Sequence, residues 1–307
     1  REVQDKDAAF EGAYVKDPQV GMHNWVASFD LNSLYPHLMM QYNISPETLI
    51  EPERYTPEMR EILSQGVSVD KLLKRQIDIS SLKDATITPN GQFFRTDKIG
   101  FLPAMMEEMY QDRKKFKKMM LTAQQEYENE KDESKKYEID KRVARFNNLQ
   151  LAKKVSLNSA YGALGSQYFR FYDLRMALGV TTAGQLSIKW IEAKINQYMN
   201  KLLSTDNVDY VIASDTDSIY LRLGDLVNKV YGVDGVVKMP AQKVIEFMDK
   251  VCEDRLQPHI DKSYQELADY VHAFAQKMQM KREGLSDKGV WTAKKRYILN
   301  VYNNEGV

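Results

Sequence analysis

Cysteine and histidine are scarce in this chain of 307 residues, which has one cysteine, Cys252, and four histidines. A lone cysteine provides no disulfide framework, so a disulfide-stapled secreted scaffold is excluded and a reducing compartment fits. The histidines are scattered and have no partner cysteines, which argues against a structural zinc site. Their positions are His23, His37, His259 and His272.

Long apolar runs and an excess of charge are also missing. No run reaches the roughly 18 apolar residues that a membrane-spanning helix needs, and no secretory signal is visible at the amino end. Lysine and arginine number 43, as do aspartate and glutamate, so the net charge is zero. That balance excludes a uniformly basic molecule, yet a phosphate-binding groove needs only a local cluster of cations. The length suggests about two domains, or one domain with a large insertion.

Strand-like and helix-like segments both occur. Apolar alternation predicts strands over residues 25–31, 291–302 and on both sides of residues 215–217, and the Asn-Gly pair at 90–91 predicts a hairpin. Helical patterns cover residues 34–42, 103–130, 137–161, 174–203 and 241–270. The charged break at residues 131–136 predicts that two long helices form an antiparallel hairpin projecting from the body. We therefore expect an α+β fold in which an antiparallel sheet with helices is interrupted by a helical hairpin.

Acidic residues stand where predicted strands end. Asp30 closes one apolar strand, and Asp215 and Asp217 flank Thr216 between two others. Carboxylates held this close repel one another unless a cation neutralises them. Magnesium is usually held by one or two carboxylates plus substrate phosphates, and two ions can clamp the oxygens of a phosphoryl transfer. The alternative interpretation is an ordinary polar turn.

Basic residues share single faces of the two long helices. Arg113 and Lys117 are four residues apart on the first helix, and Lys154, Asn158 and Tyr161 follow helical spacing on the second. In an antiparallel pair these faces could converge on a triphosphate, unless they are simply solvated charged surfaces. A basic triplet, Lys294-Lys295-Arg296, stands at the start of the strand-like residues 297–302 and is either a nucleic-acid contact or a charged loop.

Five segments in order resemble the motifs of family B DNA polymerases, most closely those of T-even-like bacteriophage replicative polymerases. Motif A resembles residues 28–36 (SFDLNSLYP), motif B residues 154–162 (KVSLNSAYG) and motif C residues 215–218 (DTDS). The KKRY-type motif resembles residues 294–297, and the linker motif resembles residues 10–13 (FEGA). The stretch NISPET at residues 43–48 is also phage-like.

The resemblance implies a domain plan and a set of roles. Residues 1–20 would link to an exonuclease domain, residues 21–100 and 166–307 would form the palm, and residues 101–165 would form the fingers. Two Mg²⁺ ions, for which Mn²⁺ can substitute, would be held by Asp30, Asp215, Asp217, Glu283 and the Leu31 carbonyl. The triphosphate would contact Ser33, the Leu34 amide, Arg113, Lys117, Lys154 and Asn158, with Lys154 also counted as catalytic.

The remaining implied roles concern the sugar and the DNA. Tyr35 would stack under the sugar and exclude a 2′-hydroxyl, so that deoxynucleotides are selected. DNA contacts would come from Tyr161, Gly162, Lys294, Lys295, Arg296 and Tyr297. The implied partners are primer-template DNA, dNTPs and a sliding clamp bound through a missing C-terminal region. The implied location is the cytoplasm of an infected bacterium, and no membrane role is expected.

Two features depart from the family pattern. Ala213-Ser214 stands where a Tyr-Gly pair is usual, and Phe10 replaces a tyrosine in the linker motif. Both ends look cut from something longer, so we expect the chain to lack an exonuclease and a thumb. Two alternatives stay open at this point: an incomplete, non-catalytic DNA-binding fragment, and a metal-dependent Asp-x-Asp glycosyltransferase.

Overall fold

The structure, a computed structural model, describes residues 12–233 and 236–304. The first part of the chain contains β1 (Gly21–Leu31), α1 (Leu34–Gln41), a 3₁₀ turn (Pro52–Arg54), α2 (Pro57–Ser64), α3 (Val69–Leu73), β2 (Ala85–Ile87) and β3 (Phe93–Arg95). Two long helices, α4 (Phe101–Asn129) and α5 (Glu133–Leu164), follow and lead into α6 (Leu174–Leu203). The remainder comprises β4 (Val211–Asp215), β5 (Ser218–Arg222), α7 (Gly224–Tyr231), β6 (Gly232–Val233), β7 (Val236–Val237), α8 (Ala241–Val251), a π-helical turn (Cys252–Leu256), α9 (Gln257–Tyr270), β8 (Met280–Ala293) and β9 (Arg296–Asn304).

A five-stranded antiparallel sheet of order β4-β5-β1-β8-β9 positions the acidic residues. Strand β1 lies in its middle and is covered on both sides. Phe29 and Leu31 point into the main hydrophobic core, whereas Val26 belongs to a smaller cluster on the opposite side. Because side chains alternate along a strand, Asp30 shares the side of Val26. The expected α+β architecture is confirmed.

Helix α6 forms the layer beneath the sheet. Its apolar residues belong to the main core, and Trp190 is buried where its indole N–H donates to the Ser263 carbonyl at 2.8 Å. The Asp173 side chain accepts from the Arg175 N–H and caps the first turn, which explains why the helix begins at Leu174. The sequence prediction of a helix over residues 174–203 is therefore confirmed to the residue.

Helices α4 and α5 form the expected antiparallel hairpin. Lys153 pairs with Asp112 at 2.6 Å, and Arg142 pairs with Glu126 further along the two helices. The residue numbers therefore rise along one helix as they fall along the other, as an antiparallel pair requires. The base of the hairpin is fixed to α1 by an apolar cluster formed by Met40, Met106, Tyr110 and Leu157. This contact holds the hairpin close to the end of β1.

The structure corrects several boundaries. Helix α5 begins at Glu133, not at residue 137, because the Asp132 side chain accepts from the Ser134 N–H and caps the helix. The helical stretch over residues 241–270 is interrupted by the π-helical turn. Residues 291–302 are not one strand, since β8 ends at Ala293 and β9 begins at Arg296. The hairpin predicted around Asn90-Gly91 is confirmed by the pairing of β2 with β3.

The start of the described chain lies along β4. Val15 forms an isolated antiparallel bridge with Asp215. Of the predicted linker over residues 1–20, residues 1–11 lie outside the described residues, including Phe10 of the linker motif. Across the described ranges, none of the helices combines the length and the apolar character that a bilayer crossing requires.

Candidate active site

Asp30 and Asp217 lie side by side at the end of the central strands. Asp30 is opposite Ser218 in the pairing of β1 with β5, and the Leu31 N–H donates to the Asp217 carbonyl at 2.8 Å. The turn between β4 and β5 is tight because Thr216 adopts a left-handed conformation, with φ of 56°. The fold therefore brings together acids that are almost two hundred positions apart in the sequence.

The electrostatics of the acids reflect this crowding. Burial, followed by the charges of Asp217 and Glu283, raises the pKa of Asp30 from its ordinary 3.8 to about 7. Burial and the charges of Asp215 and Glu283 also raise the pKa of Asp217, and Lys295 opposes that effect. Both carboxylates are thus held where their charged forms are unfavourable without a cation. A divalent ion would relieve this repulsion.

The metal ligands expected from the sequence are only partly brought together. No group of three acidic, histidine or cysteine side chains in residues 12–233 and 236–304 could hold a metal ion. The pair formed by Asp30 and Asp217 instead fits an open magnesium site, because such sites use one or two carboxylates and are completed by substrate phosphates. Glu283 is exposed at a bulge of β8 opposite Ser28 and Phe29, and a metal contact there stays a prediction.

Asp215, unlike Asp217, has its carboxylate in an ion pair with a lysine among the described residues. Its carboxylate lies 3.3 Å from the Lys295 ammonium and accepts from the Thr216 hydroxyl at 3.0 Å. Lys295 stands in the turn between β8 and β9, in a left-handed conformation with φ of 59°. The expected position of the basic triplet at a strand start is confirmed: Lys294 and Lys295 form the turn that precedes β9, and Arg296 is the first residue of that strand. The ion pair of Lys295 with Asp215 brings this basic turn beside the acids.

The turn between β1 and α1 faces the helical hairpin. Ser33 has φ of 46°, and its hydroxyl accepts from an Arg113 guanidinium nitrogen at 3.1 Å. The Asn32 amide nitrogen donates to the Tyr110 hydroxyl. Arg113 Nε is buried and has no hydrogen-bond partner among residues 12–233 and 236–304. Leu34 begins α1, where helix N–H groups have no partner inside the helix.

The other predicted triphosphate ligands on the hairpin are exposed. Lys117, Lys154 and Asn158 all point to solvent. In the part of the chain that the structure describes, neither lysine forms an ion pair, whereas the adjacent Lys153 is paired with Asp112. A solvated face and a ligand-free phosphate site both account for this exposure. Their roles stay predictions.

Two tyrosines join the hairpin to the sheet region. Tyr35 of α1 stacks on Tyr161 of α5 with ring centroids 4.3 Å apart and planes inclined by 26°. Burial and the charges of Asp217 and Asp215 raise the pKa of Tyr35, which shows that its phenol lies near the acids. Gly162 is exposed beside Tyr161. The sequence-predicted Tyr35 and Tyr161 are thus in direct contact next to the acidic pair.

Comparisons with known proteins identify the family of this chain. A family model described as DNA polymerase family B matches residues 1–306. The chain belongs to DNA polymerase family B. It is 32% identical to the DNA-directed DNA polymerases of Escherichia phage RB69 and Enterobacteria phage T4, and each comparison covers 97% of this chain and 36% of the relative. It is 29% identical to the DNA polymerase delta catalytic subunit of Candida albicans over 70% of this chain and 18% of that protein.

The chain thus spans 36% of the length of the phage family B polymerases that it matches. The resemblance seen in the sequence motifs is confirmed at the level of the family. Membership also weighs against the glycosyltransferase alternative, which rested on the Asp-x-Asp pattern alone.

Sequence reasoning missed several residues that build this family B site. Tyr110 holds the Asn32 side chain, and its spacing of three residues from Arg113 could have revealed it. Tyr220 and Trp291 form an aromatic cluster with Tyr297, in which the two tyrosine hydroxyls are 2.6 Å apart. No sequence signal joins those residues, because they lie on three different strands.

Proposed function

We propose that this chain carries the catalytic centre of a DNA-directed DNA polymerase, which adds deoxynucleotides to a primer 3′-hydroxyl under the direction of a template. The observation that carries the proposal is the pair of half-buried carboxylates, Asp30 and Asp217, whose pKa values are raised by burial and by neighbouring acids. They stand beside a helical hairpin whose Lys117 and Lys154 form no ion pair with any residue that the structure describes. The phage relatives in the same family are named DNA-directed DNA polymerases.

The acidic residues would hold two Mg²⁺ ions, or Mn²⁺ in their place. Bound ions would supply Lewis-acid stabilisation of the attacking and leaving oxygens. Asp30 and Asp217 would be the principal ligands, with Asp215, Glu283 and the Leu31 carbonyl as the further ligands. The contact of Asp215 with Lys295 supports a mixed role for Asp215, in which it contributes to the metal site and also orients the basic turn.

The hairpin and the turn after β1 would bind the triphosphate. Arg113 is already oriented by Ser33, so its guanidinium is placed to donate to a phosphate oxygen. Lys117, Lys154 and Asn158 would add contacts from the exposed faces of the two helices, and the Leu34 amide would add one from α1. Lys154 would also offset the charge that develops on the departing pyrophosphate.

The two stacked tyrosines would shape the nucleotide pocket. Tyr35 would lie under the deoxyribose and exclude a 2′-hydroxyl, while Tyr161 and Gly162 would line the minor groove of the new base pair. The basic turn with Lys294, Lys295 and Arg296, followed by Tyr297, would contact the DNA near the primer end. Its position beside Asp215 supports this assignment, because the primer 3′-hydroxyl must reach the same acids.

The domain plan is part of the same proposal. The five-stranded sheet with its covering helices would be the palm over residues 21–100 and 166–307, and α4 with α5 would be the fingers over residues 101–165. Residues 1–20 would be the linker that follows an exonuclease domain. Because relatives are phage proteins, we expect action in the cytoplasm of an infected bacterium, with a sliding clamp as partner.

Primer extension tests the proposal. The natural gene product that carries this chain would be assayed on a primer-template with dNTPs in the presence of Mg²⁺, alongside Asp217→Asn. The substitution removes one charge with little change of shape, so extension should fall by at least about a hundredfold. Asp269→Asn, an exposed acid on α9, is the matched control and should extend like the parent.

Three outcomes separate the possibilities. Extension that depends on Mg²⁺ and on Asp217 supports the proposal. Equal extension by Asp217→Asn and the parent contradicts the assigned mechanism. Primer-template binding without extension, insensitive to metal and dNTP, would show the non-catalytic DNA-binding fragment that the sequence left open.

A further inference from the structure

The segment before β1 is attached to the turn that carries Asp215 and Asp217. The Lys16 N–H donates to the Ser214 carbonyl at 3.0 Å, and the Thr216 N–H donates to the Tyr14 carbonyl at 3.0 Å. These two bonds lie on either side of Asp215. The segment therefore acts as a short additional strand along β4, and it fixes the backbone of the acidic turn from outside.

The side chain of Lys16 anchors this segment. Its ammonium lies 2.5 Å from Glu192 of α6 and 2.7 Å from Asp209, and it donates to the Val211 carbonyl at 2.8 Å. All three donor positions of the ammonium are thus used. The contacts join the segment, the helix beneath the sheet and the start of β4 at one point.

The anchor is sheltered from solvent. The side chains of Lys16 and Glu192 are only 13% and 14% exposed. Breaking a buried ion pair by removing one partner leaves the other charge uncompensated, which is far more costly than losing a surface pair. Asp209 is more exposed and also accepts from the Asn196 amide at 2.9 Å. Loss of the ammonium would therefore affect Glu192 most strongly.

A second contact leads from the anchor to the acidic turn. The Ser214 hydroxyl donates to the other oxygen of Glu192 at 3.2 Å. Ser214 is buried and precedes Asp215 directly. Glu192 therefore contacts both the anchor and the residue next to the acids. Ser214 belongs to the Ala213-Ser214 pair that stands where a Tyr-Gly pair is usual, so this contact belongs to a variant of the turn.

We propose that Lys16 is a positioning residue for the polymerase reaction: through Glu192, Ser214 and the backbone of its own segment it holds the acidic turn where the carboxylates can take divalent ions. The proposal rests on the proposed function. Residues that orient metal ligands without touching the metal typically change metal affinity or activity by about ten- to a hundredfold when they are replaced. Lys16 fits that class because it touches neither Asp215 nor Asp217 through its side chain.

The test replaces Lys16 with methionine, which keeps the length of the side chain and removes its charge. In the natural gene product, Lys16→Met should raise the Mg²⁺ concentration for half-maximal primer extension by about ten- to a hundredfold. Hydrogen exchange at the Thr216 amide should become faster, because the bond to the Tyr14 carbonyl is no longer held. The KM for dNTP should change less than kcat, since the triphosphate contacts lie on the hairpin.

Lys194→Met is the matched control. Lys194 is on the same helix as Glu192 and pairs with Glu266 at 2.7 Å, and over the described ranges no bond connects that pair to the acidic turn. It should keep the Mg²⁺ midpoint of the parent. Equal shifts in both variants, or a loss of thermal stability in Lys16→Met with an unchanged midpoint, would overturn the proposal.

Two further measurements keep the result decisive. If the parent extends no primer, the proposed function fails, and Mn²⁺ binding followed by electron paramagnetic resonance tests the anchor alone. Weaker Mn²⁺ binding in Lys16→Met than in Lys194→Met then supports the anchor, and equal binding overturns it. If Lys16→Met does not fold, Ser214→Ala should raise the Mg²⁺ midpoint by about fivefold, and an unchanged midpoint would overturn the proposal.

Discussion

Replacing Asp30 with asparagine should stabilise the metal-free protein while abolishing its activity. Asp30 is half-buried next to Asp217, and its pKa is raised from 3.8 to about 7 by burial and then by the charges of Asp217 and Glu283. Above that pH the folded protein carries a charge that it disfavours. Asparagine has nearly the same shape and no charge, so the variant avoids this cost.

The size and the sign follow from proton linkage. A shift from 3.8 to about 7 corresponds to about 4 kcal/mol, and partial exposure of Asp30 to water reduces the expected effect to about 2 kcal/mol. Because the folded state binds the proton more tightly than the unfolded state, stability due to Asp30 is fully present below pH 3.8 and is lost as the pH rises through about 7. The advantage of the variant should therefore grow from zero near pH 4 to its full value above pH 7.

Urea unfolding in EDTA, measured at several pH values from 4 to 8, provides the assay. Asp269→Asn controls for the loss of one negative charge at an exposed position. Addition of Mg²⁺ at pH 8 should stabilise the parent more than Asp30→Asn, because an ion that binds only the folded state adds stability by mass action. Equal stability of the parent and the variant at pH 8, or a difference that does not change with pH, would refute the reasoning.

Two more predictions concern the nucleotide. Lys154→Met should lower kcat/KM for dNTP in steady-state extension by about ten- to a hundredfold, because it removes a charge-assisted contact. Lys153→Met is the control, since it removes a lysine already paired with Asp112, and it should change kcat/KM by less than about threefold. Equal losses would contradict the assignment. Tyr35→Ala should increase incorporation of ribonucleotides relative to deoxynucleotides by at least about tenfold in single-nucleotide assays, and an unchanged ratio would contradict the proposed contact with the sugar.

The sequence was most informative where a local signal sets the structure. The helical pattern over residues 174–203 predicts α6 to the residue, and the structure shows that the Asp173 cap sets its start. The helical hairpin was predicted for the same reason, since two long helical patterns flank a charged break. The predicted start of the second helix, residue 137, was wrong because Asp132 caps α5 inside that break. The break contains several polar residues, and the sequence alone did not show which of them caps the helix.

The long strand β8 could not be predicted in the same way. Residues such as Lys281, Arg282 and Lys288 make it look like a charged loop, and it becomes a strand because it pairs with both β1 and β9. Tertiary pairing overrides a weak local preference. Because the pairing of β8 with β1 leaves no local signal, the position of Lys295 beside Asp215 could not be found from the sequence.

The candidate site shows the same division. The acids at the strand ends could be found from the sequence, because carboxylates held close together after apolar strands repel one another unless a cation neutralises them. The contact of Lys16 with Glu192 and Asp209 could not be found, since the partners are about 176 and 193 positions away along the chain. Their meeting depends on the docking of a segment that carries no periodicity of its own.

Crystals of the natural gene product grown with primer-template, a dNTP and Mn²⁺ would test the central claim most directly. Anomalous scattering locates Mn²⁺ without assumptions about its ligands. The account predicts an anomalous peak within about 2.4 Å of carboxylate oxygens of both Asp30 and Asp217, a distance typical of oxygen ligands to divalent ions. Mn²⁺ bound elsewhere, with Asp30 and Asp217 sharing no ion, would contradict it.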